Sequence, residues 1–341
     1  MKYVTIKDIA KKLNLSVSTV SRAFNDKYDI KKETKDRILR EAQIMGYKPN
    51  LMAKRLVQKR SMTIGIIVPE FINSFFPEVI IGAQKVFFEI GYQVIIMQSN
   101  EHFESELENI KSLENNMVDG ILLSISNQTQ NTDYIKKLVS DGFPIVLFNR
   151  VDDTIKVPKV IFDNYKWTFL ATQRLLGQGF KKIYYLKGIN SKIISLDRVR
   201  AFKDAVSKKY IYNSENFKII NAGINFEDGE RVAEDLIKKN DLPEAIFAGN
   251  DLCAMGAMKT FKKYNFKIPN DIAFFGFTET KFARLTDPPL SSVLQPTFKM
   301  GKIAAELLIK KIKNPTLEEN PDIIILDGSL NVRESSIKKS K

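Results

Sequence analysis

From Met62 onward, short apolar runs alternate with amphipathic segments of helical length. The runs are bounded by Gly, Pro, Asn or Ser and read TIGIIVP, QVIIMQS, GILLS, PIVLFN, VIFDN, KIYYLKG, FKIINAG, AIFAGN and IAFFGF. Such runs predict strands covered on both faces, and their alternation with helices predicts parallel sheets with right-handed crossovers. About ten strands are too many for one sheet, so we expect two doubly wound α/β halves of about five or six strands each.

The composition limits the class of protein. The chain has 341 residues, of which 44% are apolar, enough for two or three domains with buried cores. No run of about 18 uncharged apolar residues is present, which excludes a membrane span, and the first residues do not resemble a secretory signal. A single cysteine, Cys253, and a single histidine, His102, leave no pair for a disulfide and disfavour a histidine metal site. We therefore expect a cytoplasmic protein with no metal and no cofactor.

Residues 5–25, TIKDIAKKLNLSVSTVSRAFN, have the pattern of two short helices joined by a tight turn. Thr5 and Asp8 have the spacing of a capping box for the first helix, and Ser16 is placed to cap the second. Val20, Ala23 and Phe24 are expected to face inward. The outward-facing set consists of Val17, Ser18, Ser21, Arg22 and Asn25. Short hydroxyls let a helix sit deep in the DNA major groove, and an arginine can grip guanine through two hydrogen bonds.

The positive charge of the chain is concentrated at this end. Residues 1–61 contain sixteen Lys and Arg against six Asp and Glu, a net charge of +10, whereas the other 280 residues contain 37 against 34. A basic module on a nearly neutral body is typical of a protein that binds a polyanion. Nucleic acid is therefore favoured over a merely solvated helical hairpin, and a nucleoid-associated protein is expected.

A third helix is predicted from Lys32 to Met45, with Ile38, Leu39, Ala42 and Met45 towards the first two helices and Gly46 closing it. The segment LMAKRLVQKRS that follows GYKPN is about two helical turns long. A helix this short is marginal in water. The segment is either a linker or a helix that forms only against a partner.

Six motifs together resemble the lactose-repressor (LacI/GalR) family of transcriptional regulators. They are VTIKDIAKKLNLSVSTVSR, GYKPNLMAKRL, VPEFINSFFPEVIIGA, RVRAFKDAV, GNDLCAMGAM and PPLSSVLQP. The resemblance covers nearly the whole chain. It implies a three-helix helix-turn-helix DNA-binding domain and a hinge helix. After these it implies a type I periplasmic-binding-protein-like core of two doubly wound parallel-sheet subdomains.

The resemblance also implies domain boundaries. The DNA-binding domain takes residues 1–49, the hinge helix and linker 50–61, and the effector-binding and dimerisation domain 62–341. In the last of these, the N-terminal subdomain takes about 62–162 and 292–322, and the C-terminal subdomain about 163–291 and 323–341, including a last strand at Ile323–Leu326. We expect the charged tail after Gly328 to be ragged; it has no leucine heptad, which favours a dimer over a tetramer.

The family pattern implies a homodimer that reads a pseudo-palindromic operator in double-stranded DNA. Its base-edge contacts map to Val17, Ser18 and Arg22. Its phosphate contacts map to Ser16, Thr19, Ser21, Asn25 and Thr34, and Thr5 and Asn50 are placed at the DNA as helix-capping residues. The hinge helix maps to residues 50–58, where Leu56 would wedge between base pairs and Ala53 would permit close approach.

The ligand cleft of the family maps to seven positions: Phe75, Phe76, Asn149, Arg198, Asn250, Thr278 and Gln295. For Arg198 the alternative is a helix-end salt bridge, and for Asp251, next to Asn250, a helix cap is favoured. Sugar-binding members commonly carry aspartates where this chain has Asn149 and Thr278, although the adjacent Glu279 could substitute. Ile224 falls where some relatives carry a stacking aromatic. A retained arginine with two absent carboxylates favours an anionic effector, such as a phosphorylated or acidic sugar.

The resemblance implies a transcriptional repressor whose DNA affinity changes when a small molecule, a sugar or sugar derivative, opens or closes the cleft. The small molecule is either an inducer or a corepressor. An enzyme is disfavoured because GxGxxG, P-loop and GxSxG motifs are absent. His102 is expected in a solvated loop or at a helix start, and Asp152 and Asp153 in a turn. Two further functions stay open: a solute receptor of the same α/β fold, and a regulator controlled by a protein corepressor.

Overall fold

The computed structural model describes residues 4–24, 30–47, 60–72, 74–188, 192–314 and 321–338. The chain forms two compact units, Met1–Ser61 and Met62–Lys341. The predicted DNA contacts Asn25, Asn50, Ala53 and Leu56, and the predicted hinge helix 50–58 as a whole, lie outside the described residues.

The smaller unit contains the three predicted helices. They are α1 (Ile6–Leu13), α2 (Val17–Phe24) and α3 (Lys32–Ile44). Each packs on the other two around one apolar core, whose buried members are Ile9, Ala10, Leu13, Val20, Ala23, Ile38 and Ala42. Phe24 adds its ring at the edge, 5.1 Å from the ring of Tyr47. Leu39 was expected in this core but is 39% exposed, because it lies about 100° around the helix from Ile38.

Local hydrogen bonds fix the ends of these helices. The Thr5 backbone N–H donates to Asp8 Oδ2 at 2.9 Å before α1, and the Thr19 N–H donates to Ser16 Oγ at 3.1 Å in the first turn of α2. Gly46, at φ +67°, ends the α3 region in the left-handed conformation that glycine favours. All three ends confirm the prediction.

The larger unit contains two six-stranded sheets, as predicted. The first sheet has the order β11-β5-β4-β3-β1-β2 and is parallel throughout. Its strands are β1 (Thr63–Val68), β2 (Gln93–Gln98), β3 (Gly120–Leu123), β4 (Ile145–Phe148), β5 (Lys159–Phe162) and β11 (Ile323–Leu326).

The second sheet has the order β12-β10-β9-β8-β6-β7 and is parallel except for the β12–β10 pair. Its strands are β6 (Ile183–Lys187), β7 (Ile219–Asn221), β8 (Ala245–Ala248), β9 (Ala273–Thr278), β10 (Ser291–Leu294) and β12 (Ser329–Asn331). The chain passes between the sheets after β5, after β10 and after β11.

Helices cover the sheets and connect their strands. They are α4 (Phe75–Glu89), α5 (Phe103–Asn115), α6 (Asp133–Ser140), α7 (Asn164–Gly177), α8 (Lys192–Ser207), α9 (Phe226–Lys238), α10 (Asp251–Lys263) and α11 (Thr297–Lys313). Helices α4 and α11 approach so closely that a Cβ on Gly82 would lie 2.1 Å from the Phe298 carbonyl oxygen. Glycine is therefore required at this crossing. No helix within the described ranges is both long and apolar enough to cross a membrane.

Two sequence expectations about strand placement are wrong. The family pattern places the strand Ile323–Leu326 in the C-terminal half, but this strand pairs with Lys159–Phe162 at the edge of the first sheet. The family pattern places the return to the first half at about 292, but Ser291–Leu294 pairs with β9 in the second sheet, so the return begins only after Leu294. An apolar run predicts a strand but does not specify its neighbour, because pairing is decided by which sheet edge is free.

Strand β2 also differs from expectation. Its sequence predicts burial on both faces, yet Ile95 and Ile96 are 37% and 38% exposed. The strand lies at the edge of the first sheet, where one side has no neighbouring strand in the described chain. An apolar edge strand of this kind is a candidate interface.

The segment after Gly328 is ordered rather than ragged. It forms β12 and a 3₁₀ turn at Glu334–Ser336, and the Ser335 hydroxyl donates to the Phe274 carbonyl oxygen at 2.8 Å. The Arg333 guanidinium donates to both carboxylate oxygens of Glu279, one at 2.9 Å, and to the Leu290 carbonyl oxygen at 2.6 Å. The Glu279 side chain is only 1% exposed, so the tail supplies the counter-ion of a buried carboxylate.

Replacing Arg333 tests this role of the tail. Arg333→Met leaves Glu279 buried without its main partner, and we expect the free energy of unfolding of the larger unit to fall by about 3 kcal/mol, measured by urea denaturation. The matched control is Arg284→Met, because Arg284 Nε lies 3.6 Å from the same carboxylate but its side chain is 70% exposed. The control should change stability by less than about 1 kcal/mol. Equal losses in the two variants would contradict the assignment.

Candidate functional site

A cleft lies between the two halves of the larger unit, where the carboxyl ends of strands from both sheets meet. The first sheet contributes the residues that follow β1 and β4, and the second contributes those that follow β6, β8 and β9. All seven residues that the family pattern indicated line this one cleft: Phe75, Phe76, Asn149, Arg198, Asn250, Thr278 and Gln295. Chain distance is no obstacle because parallel strands end at the same edge of a sheet.

Two of these residues have left-handed backbones. Asn149 has φ +57° and Thr278 has φ +105°. Asparagine adopts this region readily, but a β-branched threonine there is strained, at a cost of about 1–3 kcal/mol. Two hydrogen bonds to buried side chains stabilise the strained turn. The Glu279 N–H donates to Ser292 Oγ at 3.1 Å, and the Thr280 N–H donates to Asp251 Oδ2 at 2.5 Å. These bonds fix the position of Thr278 at the cleft.

Arg198 is the best-anchored cation in the cleft. Its Nε donates to Asn164 Oδ1 and its Nη1 to the Gly249 carbonyl oxygen, both at 2.8 Å, and its Cζ lies 3.5 Å from the centre of the Phe277 ring. Burial lowers the pKa of the guanidinium to about 10, so the group stays charged at neutral pH. The helix-end salt bridge considered for it is absent from the described residues. Its positive charge is therefore not neutralised by a carboxylate there.

Other charged groups of the cleft were missed by sequence reasoning. Lys187, at the end of β6, forms no ion pair within the described residues, whereas Arg150 Nη1 contacts both carboxylate oxygens of Glu101 at 2.7 Å. Glu70 is 4% exposed and accepts from the Ile72 N–H at 2.5 Å. The signal that could have found them is their position directly after a buried strand. On balance the cleft is cationic.

The side-chain NH₂ group of Gln295 is a hydrogen-bond donor without an acceptor in the described residues. Its side chain is 3% exposed, and its Nε2 has no hydrogen-bond acceptor in the described part of the chain. A buried donor without a partner costs about 1–3 kcal/mol. The amide is therefore placed to donate to an acceptor on a bound molecule.

The cap of α10 is Asn250 and not Asp251, which the sequence favoured for this role. Asn250 caps α10, since its Oδ1 accepts from the Cys253 N–H at 2.8 Å, and this leaves its NH₂ group for the cleft. Asp251 is not the cap. It is fully buried and accepts from the Ser292 hydroxyl at 2.6 Å, in addition to Thr280. Its role is nevertheless structural, as expected.

Glu279 does not replace the carboxylates that this cleft lacks. Its side chain is bound to Arg333 and is absent from the cleft lining, because the one-residue step from Thr278 directs it to the opposite side of the turn. Ile224 does line the cleft, so an aliphatic group occupies the place suggested for a stacking aromatic. At the two positions where sugar-binding relatives carry aspartates, hydroxyl recognition therefore depends on the amide of Asn149 and the hydroxyl of Thr278.

The smaller unit presents the predicted DNA-contacting face of α2. Val17 is 40% exposed, and Ser18 and Arg22 are exposed as well. The Ser16, Ser18 and Thr19 hydroxyls form one hydrogen-bonded group at the start of α2, with oxygen–oxygen distances of 2.7 Å. Ser21 lies on the same helix. Thr5 precedes α1 and Thr34 lies in the first turn of α3, so both are at helix N-termini, which favour phosphate.

Three polar residues that could suggest other chemistry have structural roles. His102 precedes α5, as expected for a helix start, and its Nδ1 lies 3.1 Å from Gln128 Oε1. Asp152 Oδ1 accepts from the Thr154 N–H at 2.7 Å and hydroxyl at 2.6 Å, which is a turn stabilised by an aspartate. Asp153 lies 3.6 Å from Lys159 Nζ.

Asp251 gives a pH-dependent test of this site. Burial raises the pKa of its carboxyl to about 7, against hydrogen bonds from Ser292 and Thr280 that lower it. The folded protein then keeps a proton that the unfolded chain releases, so the stabilisation is complete below about pH 4 and is lost as the pH rises towards 7. We expect the unfolding free energy of the wild type minus that of Asp251→Asn to decrease over this range and then level off. A difference that stays constant from pH 4 to 8 would rule this out.

Two family models match the chain. One, described as bacterial regulatory proteins of the lacI family, matches residues 5–50, and the other, described as periplasmic binding proteins and sugar binding domain of the LacI family, matches residues 61–331. The ribose operon repressor of Halalkalibacterium halodurans is 30% identical over 314 residues, which are 92% of this chain and 92% of that protein.

Two solved structures are similar over almost the whole chain. The complex of the transcriptional regulator CelR with cellobiose has a TM-score of 0.72 and 25% identity, over 97% of this chain and 99% of that one. The lac repressor dimer bound to operator and an anti-inducer has a TM-score of 0.86 and 19% identity, over 98% and 100%, and shows the shared fold. With both family models and the two-sheet fold in agreement, this chain belongs to the LacI family of bacterial regulatory proteins.

Proposed function

We propose that this protein is a cytoplasmic transcriptional repressor that binds a pseudo-palindromic DNA operator as a homodimer, and whose affinity for the operator changes when a small molecule occupies the cleft. The observation that carries the proposal is that one chain contains both a helix-turn-helix unit, in residues 1–61 with a net charge of +10, and a cationic cleft. Neither of them needs a reacting group, and regulators of the same family have both.

In this proposal α2 is the recognition helix. Base edges are contacted by its exposed residues Val17, Ser18 and Arg22. The hydroxyls of Ser16 and Thr19, which are hydrogen-bonded to each other, bind phosphate. Ser21, Thr5 and Thr34 add phosphate contacts. The roles of Asn25, Asn50, Ala53 and Leu56 remain predictions from the family pattern.

The dimer is proposed to form through the outer face of the first half. Ile81 and Phe88 lie two turns apart on one face of α4 and are 54% and 83% exposed, and Ile95 of the edge strand β2 is also exposed. Exposed apolar groups of this size indicate an interface. The similar lac repressor structure is a dimer on its operator, which supports the same assembly here.

Control by the ligand follows from the position of the cleft between the halves. In the dimer, each protomer contributes one half that contains the first sheet. Closing the cleft would change the distance between these two halves and so permit or prevent pairing of the two predicted hinge helices. A ligand shifts this balance only by its differential affinity for the two states, typically about 1–3 kcal/mol.

The effector is proposed to be a sugar derivative with a negative charge. Arg198 and Lys187 supply positive charge without a carboxylate partner in the described residues, and the Gln295 amide supplies a spare donor. All three favour an anionic acceptor such as phosphate or carboxylate. The sugar part is supported by the CelR–cellobiose complex, a similar regulator with a bound carbohydrate.

Replacing Arg22 tests the DNA-binding part. We expect Arg22→Ala to lose about 1–3 kcal/mol of affinity for an operator selected from genomic fragments by the wild-type protein, and to lose preference at one base pair in each half-site. The matched control is Arg40→Ala, an exposed arginine of α3, which should weaken selected and unrelated DNA by the same factor. Base preference is measured by selection and sequencing. If Arg22→Ala leaves it unchanged, a part of the protein other than Arg22 recognises that base pair.

Replacing Arg198 tests the effector part. In calorimetric titrations, we expect the wild type to bind sugar phosphates or uronates at least about tenfold more tightly than the neutral parent sugars, because the anion pairs with a desolvated guanidinium. Arg198→Met should abolish this preference, whereas the exposed Arg174→Met, outside the cleft, should keep it. Tight binding of a neutral sugar, with no binding of its phosphate or uronate, would refute the anionic class.

A further inference from the structure

A second cavity adjoins the cleft on the side of the first sheet. It shares Asn149, Arg150 and Ile194 with the cleft and extends over the carboxyl ends of β3, β4 and β5. We call the cleft described above the inner compartment and this cavity the outer compartment. Because the two share lining residues, they lie next to each other.

The volumes indicate that the inner compartment is only part of the binding site. It measures about 100 Å³, and the outer compartment measures about 340 Å³. Pockets for small molecules usually measure about 300–1,000 Å³. The inner compartment alone is below this range, whereas the outer compartment alone and the two together fall within it. A ligand that fills the site is therefore larger than the inner compartment can hold.

The outer compartment contains a polar side chain that lacks partners. Both amide atoms of Asn127 are buried and form no hydrogen bond within the described residues. The loop that carries Asn127 is nonetheless well held. The Asn127 backbone N–H donates to Glu101 Oε2 at 2.9 Å. The neighbouring Ser126 N–H and Thr129 hydroxyl donate to Glu106 at 2.6 and 2.7 Å. An amide on a well-held loop with both hydrogen-bonding capacities unused is a site for a ligand hydroxyl, which can donate and accept.

The two compartments differ in charge. Arg150 lines both compartments; the inner one adds Arg198, Lys187 and one carboxylate, Glu70, whereas the outer one adds three carboxylates, those of Asp152, Asp153 and Asp197. Asp152 uses one carboxylate oxygen, Oδ1, for the Thr154 turn, and Asp197 uses Oδ1 for an ion pair with Arg200 Nη2 at 3.0 Å. Carboxylates accept hydroxyl hydrogen bonds with charge assistance. Hydroxyl recognition, for which the inner compartment has no aspartate at Asn149 or Thr278, is thus available in the outer one.

We propose that the effector spans both compartments and is an acidic or phosphorylated glycoside of at least two sugar rings. Its anionic group lies against Arg198 and Lys187, and the hydroxyls of its second ring bind Asn127 and Asp152. This proposal rests on the proposed function, because it specifies the class of molecule that the regulator senses.

The test compares one-ring and two-ring ligands by calorimetry on the full-length protein. The probes are glucose, glucose 6-phosphate, glucuronate, cellobiose, cellobiose 6-phosphate and trehalose 6-phosphate. We expect the tightest probe to have two rings and an anionic group. Asn127→Leu should weaken that probe about tenfold and leave a one-ring anionic probe unchanged, since only the second ring reaches position 127.

Stability measurements separate binding from folding. Because the Asn127 amide has no partner to lose, the melting temperature of Asn127→Leu should be equal to or above that of the wild type. The matched control is Gln128→Leu, at an exposed position of the same loop outside the cavity, which should bind all probes like the wild type.

Each remaining outcome decides against the proposal in a distinguishable way. If a one-ring anionic probe binds most tightly and depends on Arg198 but not on Asn127, the two-compartment site is overturned and the proposed function stands. If Asn127→Leu leaves two-ring binding unchanged, the proposal is likewise overturned. If no probe binds, both the two-ring ligand and the sugar-derived effector of the proposed function are contradicted.

Discussion

The arrangement of parallel strands in two facing sheets is the constraint on which the rest of this protein depends. Every parallel strand ends at the same edge of its sheet, so residues far apart in the chain converge where the two edges meet. Asn149, from the first sheet, and Thr278, from the second, reach one cleft in this way. Because the chain crosses between the sheets three times, a movement of one half of the unit relative to the other affects all three connecting segments.

The electrostatics of the cleft depend on groups behind it as much as on groups that line it. Asp251 and Ser292 hold the strained turn that presents Thr278, and Arg333 in the C-terminal tail neutralises Glu279. Both carboxylates are absent from the cleft lining, and Arg198 has no carboxylate partner within the described ranges, so its charge is available to a ligand. The same chain therefore combines an acidic supporting layer with a cationic binding surface.

Sequence reasoning was most accurate where local periodicity or a specific motif carried the information. The three N-terminal helices and their caps, and two doubly wound halves, follow from apolar spacing and capping residues. It was wrong where pairing decides the outcome. The strand Ile323–Leu326 joined the other sheet, and the tail after Gly328 became a strand held by Arg333, because sequence alone does not say which sheet edge is open.

By itself, the sequence determined the fold class, the basic helix-turn-helix unit and the residue types of the inner cleft, because these depend on short-range patterns and on a specific family resemblance. Only the tertiary structure decided what each polar group is bound to. It assigned the α10 cap to Asn250 and Glu279 to the tail, and it left Asn127 and Gln295 with unused hydrogen-bonding groups. A hydrogen bond depends on a few tenths of an ångström between groups far apart in the chain, which no sequence pattern encodes.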